Sequence, residues 1–339
     1  MKSFGLTASI EDPRIPARKV FSLISSELSL VEDEFERQSR SNIQVIAYIG
    51  EYLRESGGKR IRPALSILSN YAVGGDASAH RSIQMATVME FLHTATLVHD
   101  DIIDNAQTRR NHPSVNSRFG NQTAVLMGDW LYMSAFETSL AERSLKILDI
   151  LTGVTRKMTE GELIQLTMLG RTDIDEEKYF DILKRKTAYL FSACCEIGGI
   201  MGGCDEATEK SLRDYGMNLG IAFQLADDLL DFTSEEQLLG KASGADLLEG
   251  KLTLPLILLL KEKPQMKTVL QRIMQEGSYK EFSRDRLLDE LNEINALEET
   301  RNRAYHFADA AQSAIKKLSE SKYQDALYSL PSYIIERKK

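Results

Sequence analysis

Apolar residues recur at three- and four-residue steps through 83–98, 125–140 and 219–230, the spacing of helices that turn one face inward. No segment alternates with period two well enough to read as a strand. Of seven prolines, none falls between Pro113 and Pro255, which leaves room for long unbroken helices through the middle of the chain. Glycine, proline and small polar residues cluster at 56–58, 73–76, 111–113, 170–175, 202–203 and 240–250, which read as inter-helix loops. None is long or biased enough to be a domain linker, and no repeat of 20–50 residues is visible. The pattern predicts an all-α chain with a single domain over 1–339.

Composition narrows this picture in a few places. With 42% hydrophobic and 27% charged residues the chain has enough apolar material for a sizeable core. A formal net charge of −8 argues against nucleic acid as a partner, since that requires a basic surface. The three cysteines, Cys194, Cys195 and Cys204, show neither a disulfide framework nor zinc-ligand spacing, which fits a reducing compartment. The N-terminal stretch lacks the apolar core of a secretory signal, and its Glu11 and Asp12 disfavour a transit peptide. The apolar run 252–260 is far shorter than the roughly 20 residues of a membrane span. The expected location is cytoplasmic.

Two acidic motifs change the picture most. His99-Asp100-Asp101-Ile102-Ile103-Asp104 follows one apolar helical run and Ala226-Asp227-Asp228-Leu229-Leu230-Asp231 follows another. In each, the first and last aspartates lie four residues apart and share a helix face. Clustered carboxylates on an apolar helix repel one another and lose hydration, so they call for a hard divalent cation. Magnesium is the natural one, held by a few carboxylates together with substrate phosphates, which implies a phosphorylated substrate. A single DDxxD is as readily a solvated helix end; two on apolar helices, flanked by basic loops, are not. The basic residues are Lys59, Arg60 and Arg62 after Gly57-Gly58, then Arg109-Arg110, Lys186-Thr187, Lys241 and Lys251. Such donors suit a diphosphate, and glycines let backbone approach an anion.

Taken together, these motifs resemble the trans-prenyl diphosphate synthases over nearly the whole chain. The resemblance is carried by GGKRIRP at 57–63, FLHTATLVHDDIID at 91–104, the arginine pair, GDW at 128–130, KTA at 186–188, and FQLADDLLD with its tail through 251. It implies the isoprenoid synthase fold, a single-domain bundle of antiparallel helices around a central cavity. It also implies a homodimer and a prenyltransferase that adds isopentenyl diphosphate to an allylic primer such as farnesyl diphosphate. By the resemblance, Lys59, Arg62, His93 and Arg110 hold isopentenyl diphosphate. Asp100, Asp104, Asp227 and Asp231 are the metal set, within which Asp231, like Asp101 and Asp228 beside it, reads more as a supporting member. Arg109, Lys186, Thr187, Gln224, Lys241 and Lys251 form the allylic diphosphate cradle. Of these, Asp100, Asp104, Asp227, Lys186 and Arg109 carry the catalysis. His99, Trp130, Cys194 and Cys195 read as packing.

Thr96 lies one turn before Asp100 and Ala95 lies beside it, so both border the tunnel for the growing tail. Both are small where short-chain relatives carry aromatic rings, which implies long products and makes Ala95→Phe the natural test. Met133, Phe136 and Val88 are candidates for the tunnel floor. The sequence looks most like octaprenyl diphosphate synthases, makers of a quinone side chain, with shorter-chain synthesis as the alternative. A terpene cyclase would need no isopentenyl pocket, and a non-catalytic subunit commonly loses its acidic motifs; this chain keeps both features. A lipophilic product implies at most peripheral contact with a membrane surface.

Overall fold

The computed structural model describes residues 14–110, 112–233 and 244–336. Seventeen α-helices run through them: α1 (Ala17–Ser22), α2 (Ser25–Ser39), α3 (Gln44–Glu55), α4 (Ile61–Ala72), α5 (His80–Ile103), α6 (Val115–Phe119), α7 (Asn121–Leu140), α8 (Leu145–Met168), α9 (Glu176–Leu183), α10 (Tyr189–Met201), α11 (Glu206–Thr233), α12 (Ala245–Leu248), α13 (Leu254–Glu262), α14 (Met266–Glu276), α15 (Arg284–Glu293), α16 (Ala296–Ala314) and α17 (Lys322–Glu336). The three periodic stretches fall inside α5, α7 and α11. A five-residue π-turn, Lys184–Ala188, joins α9 to α10.

Local chemistry explains the boundaries. Asp175 caps α9 by accepting from the Lys178 amide at 2.8 Å, and Glu176 and Glu177 follow in the first turn, where negative charge suits the helix dipole. Ser144 caps α8 in the same way through the Ile147 amide. One small departure from an all-helical reading holds two of the candidate site arginines, Arg109 and Arg110. Thr108–Arg109 pairs antiparallel with His112–Pro113, a ladder too short for any alternation to announce it.

The apolar faces form two clusters. The first joins α2, α4, α5, α7 and α10 through residues such as Leu65, Phe91, Leu131 and Phe191. The second joins α9 and α13–α16 through Leu254, Leu259, Ile273 and Leu291. The long helix α11 serves both, with Leu212, Tyr215 and Leu219 in the first and Leu225, Leu229 and Phe232 in the second. Close approach of α10 to α4 depends on Gly198, where an added Cβ would stand 2.3 Å from the Ser66 carbonyl oxygen. Backbone cannot yield as a side chain can, so Gly198→Ala is expected to destabilise the protein by about 1–3 kcal/mol. Thermal unfolding at neutral pH would show this, and an unchanged melting temperature would mean that the two helices can part freely.

Candidate active site

The second acidic motif lies along the last two turns of α11 that the structure describes, and the first sits at the C-terminal end of α5, which has no basic residue in its last turn. The helix dipole is negative there, so its field adds to the carboxylates' repulsion instead of relieving it. Asp100 shows the result: burial pushes its carboxyl up to about 6, with Glu162 and Asp104 adding to the rise and Lys186 and Arg109 opposing it. Asp104 is exposed and lies 3.5 Å from the Lys251 ammonium, so the first motif meets the segment that follows the second. Asp227 is half-buried and close enough to bear on the charge of Arg62.

The other three aspartates are engaged elsewhere. Asp101 is buried and accepts from the Arg109 Nε at 2.8 Å, pairing with its guanidinium at 2.7 Å. Asp228 is buried and accepts from the Tyr179 hydroxyl at 2.5 Å and the Gln224 amide at 3.0 Å. Burial first, then the Asp246 charge, lifts Asp228 to about 8 despite those two hydrogen bonds. Asp231, expected in the metal set, turns one carboxylate oxygen to the Ala245 amide at 3.1 Å, where it anchors the start of α12.

Magnesium fits this donor set. Asp100, Asp104 and Asp227 offer oxygen alone, at helix ends that want positive charge. Among the described residues no three His, Cys, Asp or Glu side chains come close enough to hold a metal by themselves, so substrate and water would supply the remaining ligands. Because Asp100 titrates near 6, a proton competes with the metal below that pH. The magnesium needed for half-maximal activity is therefore expected to rise about tenfold per pH unit below 6 and to level off above it. A magnesium titration at several pH values checks this; a constant requirement down to about pH 5 would remove Asp100 from the ligand set.

The cations of the expected allylic cradle come from three directions. Lys186 stands on the π-turn, packed against α8 where Gly161 leaves room, and its ammonium pairs with Glu162 at 2.6 Å. A π-turn inserts one extra residue into a helix and recurs at functional sites. Beside it, Thr187 donates to the Gln224 carbonyl oxygen at 3.0 Å. Lys251 is held by Glu249 at 2.7 Å. Lys186, Thr187, Gln224, Asp228 and Lys251 share the wall of a cavity of about 180 Å³. Arg109 is aimed from the short ladder by Asp101. Lys241 lies outside the described residues.

A second group of cationic side chains gathers between α4, α5 and that ladder. Arg60 adopts a left-handed backbone (φ 47°) and spends its guanidinium on Glu32 and on Glu90, the latter at 2.6 Å, which fixes the start of α4. Arg62 is thereby turned inward: it is half-buried, its guanidinium lies 5.2 Å from the Phe191 ring centre, and its Nε has no hydrogen-bond partner among the described residues. Burial, with help from Arg62, Arg110 and Arg109, pushes His93 well below its usual range, so its imidazole is neutral at physiological pH. Arg110 donates to the Gly57 carbonyl, an approach that a side chain at Gly58 would block. Lys59 is exposed at the rim.

The residues expected to set product length separate. Thr96 is half-buried and donates to the His93 carbonyl at 2.7 Å, while Ala95 is fully buried. Phe136 is half-buried against the first core cluster and Val88 is fully buried. Met133 is 62% exposed and follows the outer row of α7 with Leu126 and Leu140. His99 packs on α7 at Gly128 and donates its Nε2–H to the Val125 carbonyl at 3.1 Å, and Cys194 and Cys195 are buried, all consistent with packing. Trp130 packs against the same cluster. Sequence reading missed Glu162, Glu90 and Tyr179, whose roles depend on partners distant in the chain.

Residues 43–291 match the polyprenyl synthetase family. The chain belongs to that family, whose members are prenyltransferases. Its relatives include the octaprenyl diphosphate synthase of Escherichia coli (strain K12), 38% identical over 94% of this chain and 98% of that one. Among solved structures, the fold superposes on a polyprenyl synthase from Caulobacter crescentus CB15 complexed with calcium and isoprenyl diphosphate (TM-score 0.89, 33% identity, covering 96% of this chain and 98% of that one). It superposes likewise on a decaprenyl diphosphate synthase from Rhodobacter capsulatus (TM-score 0.87, 32% identity, 96% and 100%). The all-helical architecture is that of the family. Among the described residues no helix is long and apolar enough to cross a membrane.

Proposed function

We propose that this chain is a trans-polyprenyl diphosphate synthase that condenses isopentenyl diphosphate onto an allylic diphosphate such as farnesyl diphosphate, with octaprenyl diphosphate as the product and a quinone side chain as its use. The observation that supports the reading is that two separate groups of polar and cationic side chains stand beside one set of carboxylates. One is built on Arg62 and neutral His93, the other on Lys186 and Lys251, with Lys251 reaching Asp104 at 3.5 Å. A cyclase, which binds one diphosphate, has no use for the first pocket.

In this reading Lys59, Arg62 and Arg110 hold isopentenyl diphosphate by charge, while neutral His93 donates its N–H. Lys186, Arg109 and Lys251 balance the charge that grows on the allylic diphosphate as its C1–O bond breaks and the electron pair leaves with it. Magnesium held by Asp100, Asp104 and Asp227 adds Lewis-acid stabilisation to that leaving group. The alkene of isopentenyl diphosphate then forms a bond to C1 of the allylic cation. The proton lost from the adjacent carbon passes to the released diphosphate, so no side chain acts as a nucleophile. The test is product length by mass spectrometry with farnesyl diphosphate, excess isopentenyl diphosphate and magnesium. A ladder ending near octaprenyl supports the proposal, a stop at geranylgeranyl moves the assignment to a short-chain synthase, and no product refutes the enzyme reading.

The working form in this reading is a cytoplasmic homodimer. Leu126, Met133 and Leu140 on α7 and Leu145, Leu163 and Leu166 on α8 are exposed in the protomer, an apolar row of the kind a partner copy covers. Sedimentation would show it as a dimer at micromolar concentration. Any membrane contact would be peripheral and would serve product release.

A further inference from the structure

We propose that Tyr179 is a positioning residue for the allylic diphosphate, acting through a chain of hydrogen bonds from its hydroxyl to Asp228, Gln224 and Thr187. The inference rests on the prenyl transfer proposed above and adds a residue outside both acidic motifs.

Tyr179 lies on α9, whose start is fixed by the Asp175 cap. Its ring packs edge-on against Phe180 within the second apolar cluster, which leaves the hydroxyl one direction in which to point. That hydroxyl donates to one oxygen of Asp228 at 2.5 Å. The other oxygen of Asp228 accepts from the Gln224 side-chain amide at 3.0 Å. With its NH2 group committed to Asp228, Gln224 must turn its carbonyl oxygen the opposite way, and that oxygen accepts from Thr187 at 3.0 Å. Each link determines the next, so the phenol on α9 sets which atoms α11 and the π-turn offer to the cavity. All four side chains line that cavity together with Lys186 and Lys251.

A buried tyrosine hydrogen bond often serves only to satisfy a polar group in the core. This one differs in where it ends. Its chain stops at Gln224 and Thr187, which border the diphosphate cradle, and not at backbone or in a closed loop of core groups. Removing the phenol oxygen would leave one oxygen of Asp228 desolvated without its donor, which costs more than losing both partners together. The nearest replacement donor is the second N–H of Gln224, and supplying it would rotate the amide away from Thr187. The isopentenyl pocket of Arg62, His93 and Arg110 is built on α4, α5 and the Thr108–Pro113 ladder and shares none of these groups, so the effect should be confined to one substrate.

Tyr179→Phe keeps the ring and removes only the hydroxyl. In steady-state assays with farnesyl diphosphate, isopentenyl diphosphate and magnesium, KM for farnesyl diphosphate is expected to rise about tenfold, a loss typical of a buried polar group left without its partner. KM for isopentenyl diphosphate should stay within about twofold of wild type, because its pocket is untouched. In a Gln224→Ala background the same substitution should add little further, since the two act in series. Equal changes in both KM values, or fully additive effects of the two substitutions, would overturn the proposal and leave Tyr179 a structural residue. Unchanged KM values with a lowered melting temperature would do the same. Wild-type enzyme assayed in parallel separates the two levels: if it makes no polyprenyl product the enzyme reading fails, and if it does while Tyr179→Phe binds farnesyl diphosphate normally, only the role of Tyr179 fails.

Discussion

Replacing Asp100 with asparagine is expected to lower turnover about a thousandfold, the scale on which charge stabilisation of a leaving group contributes, while raising the stability of the metal-free protein. The two effects have one cause. Asp100 is held half-buried at the C-terminal end of α5, beside Glu162 and Asp104, and its carboxyl is pushed up to about 6. In the unfolded chain the same group titrates near 4, so between those values the folded state binds the extra proton and stability falls as pH rises. Above pH 6 the ionised side chain costs the fold on the order of 1–3 kcal/mol, and asparagine removes that cost at nearly constant volume. Thermal unfolding in the presence of a chelator at pH 8 should therefore give a higher melting temperature for Asp100→Asn. Initial rates at saturating magnesium should show the loss. A variant that is both inactive and less stable would mean that the carboxylate serves the fold, not the reaction.

Thr96→Phe is expected to truncate the product made from farnesyl diphosphate, moving the ladder's end toward geranylgeranyl while the first condensation continues. Thr96 stands four residues before Asp100, on the same face of α5 and one turn deeper. It is half-buried, and its hydroxyl is spent on the His93 carbonyl. A phenyl ring there would close the path of the tail without touching either diphosphate pocket. The sequence alone pointed to Ala95→Phe, and the structure makes that the less clean experiment. Ala95 is fully buried, one turn before His99, on the stripe of α5 that packs against α7. A large side chain there would overpack the helix interface at about 1–3 kcal/mol before any tunnel is narrowed. Product analysis of both variants, with melting temperatures, distinguishes a blocked tunnel from a strained interface; undiminished octaprenyl from a stable Thr96→Phe enzyme would put the tunnel elsewhere.

What could be read in advance follows from the range of each interaction. Helical periodicity is local, so α5, α7 and α11 were legible, as were the aspartates four residues apart on one face. The interior fate of an apolar residue is not local: Leu126, Met133 and Leu140 recur on α7 as regularly as its buried residues do, and only the packing of α7 against α5 decides which row faces out. Partnerships between distant segments were invisible for the same reason. Nothing near Lys186 in the chain announces Glu162, and nothing near Asp228 announces Tyr179. The turn that carries Arg109 and Arg110 escaped because two residues on each side cannot establish an alternation. Asp231 repeats the spacing of Asp104, but its contact with the Ala245 amide could not be read from that spacing.

The π-turn at Lys184–Ala188 has a consequence for any attempt to improve this protein. An α-helix is indifferent to which of its residues is the additional one, but a side chain's direction is not. Deleting a single residue there would let α9, the turn and α10 merge into one regular helix, with better backbone geometry and, taken alone, a more robust molecule. It would also swing Lys186 and Thr187 by about a quarter turn relative to α9, away from Glu162 and Gln224. Selection for thermal robustness and selection for turnover would therefore pull these five residues in opposite directions, and a library screened only for stability would be expected to lose the irregularity first.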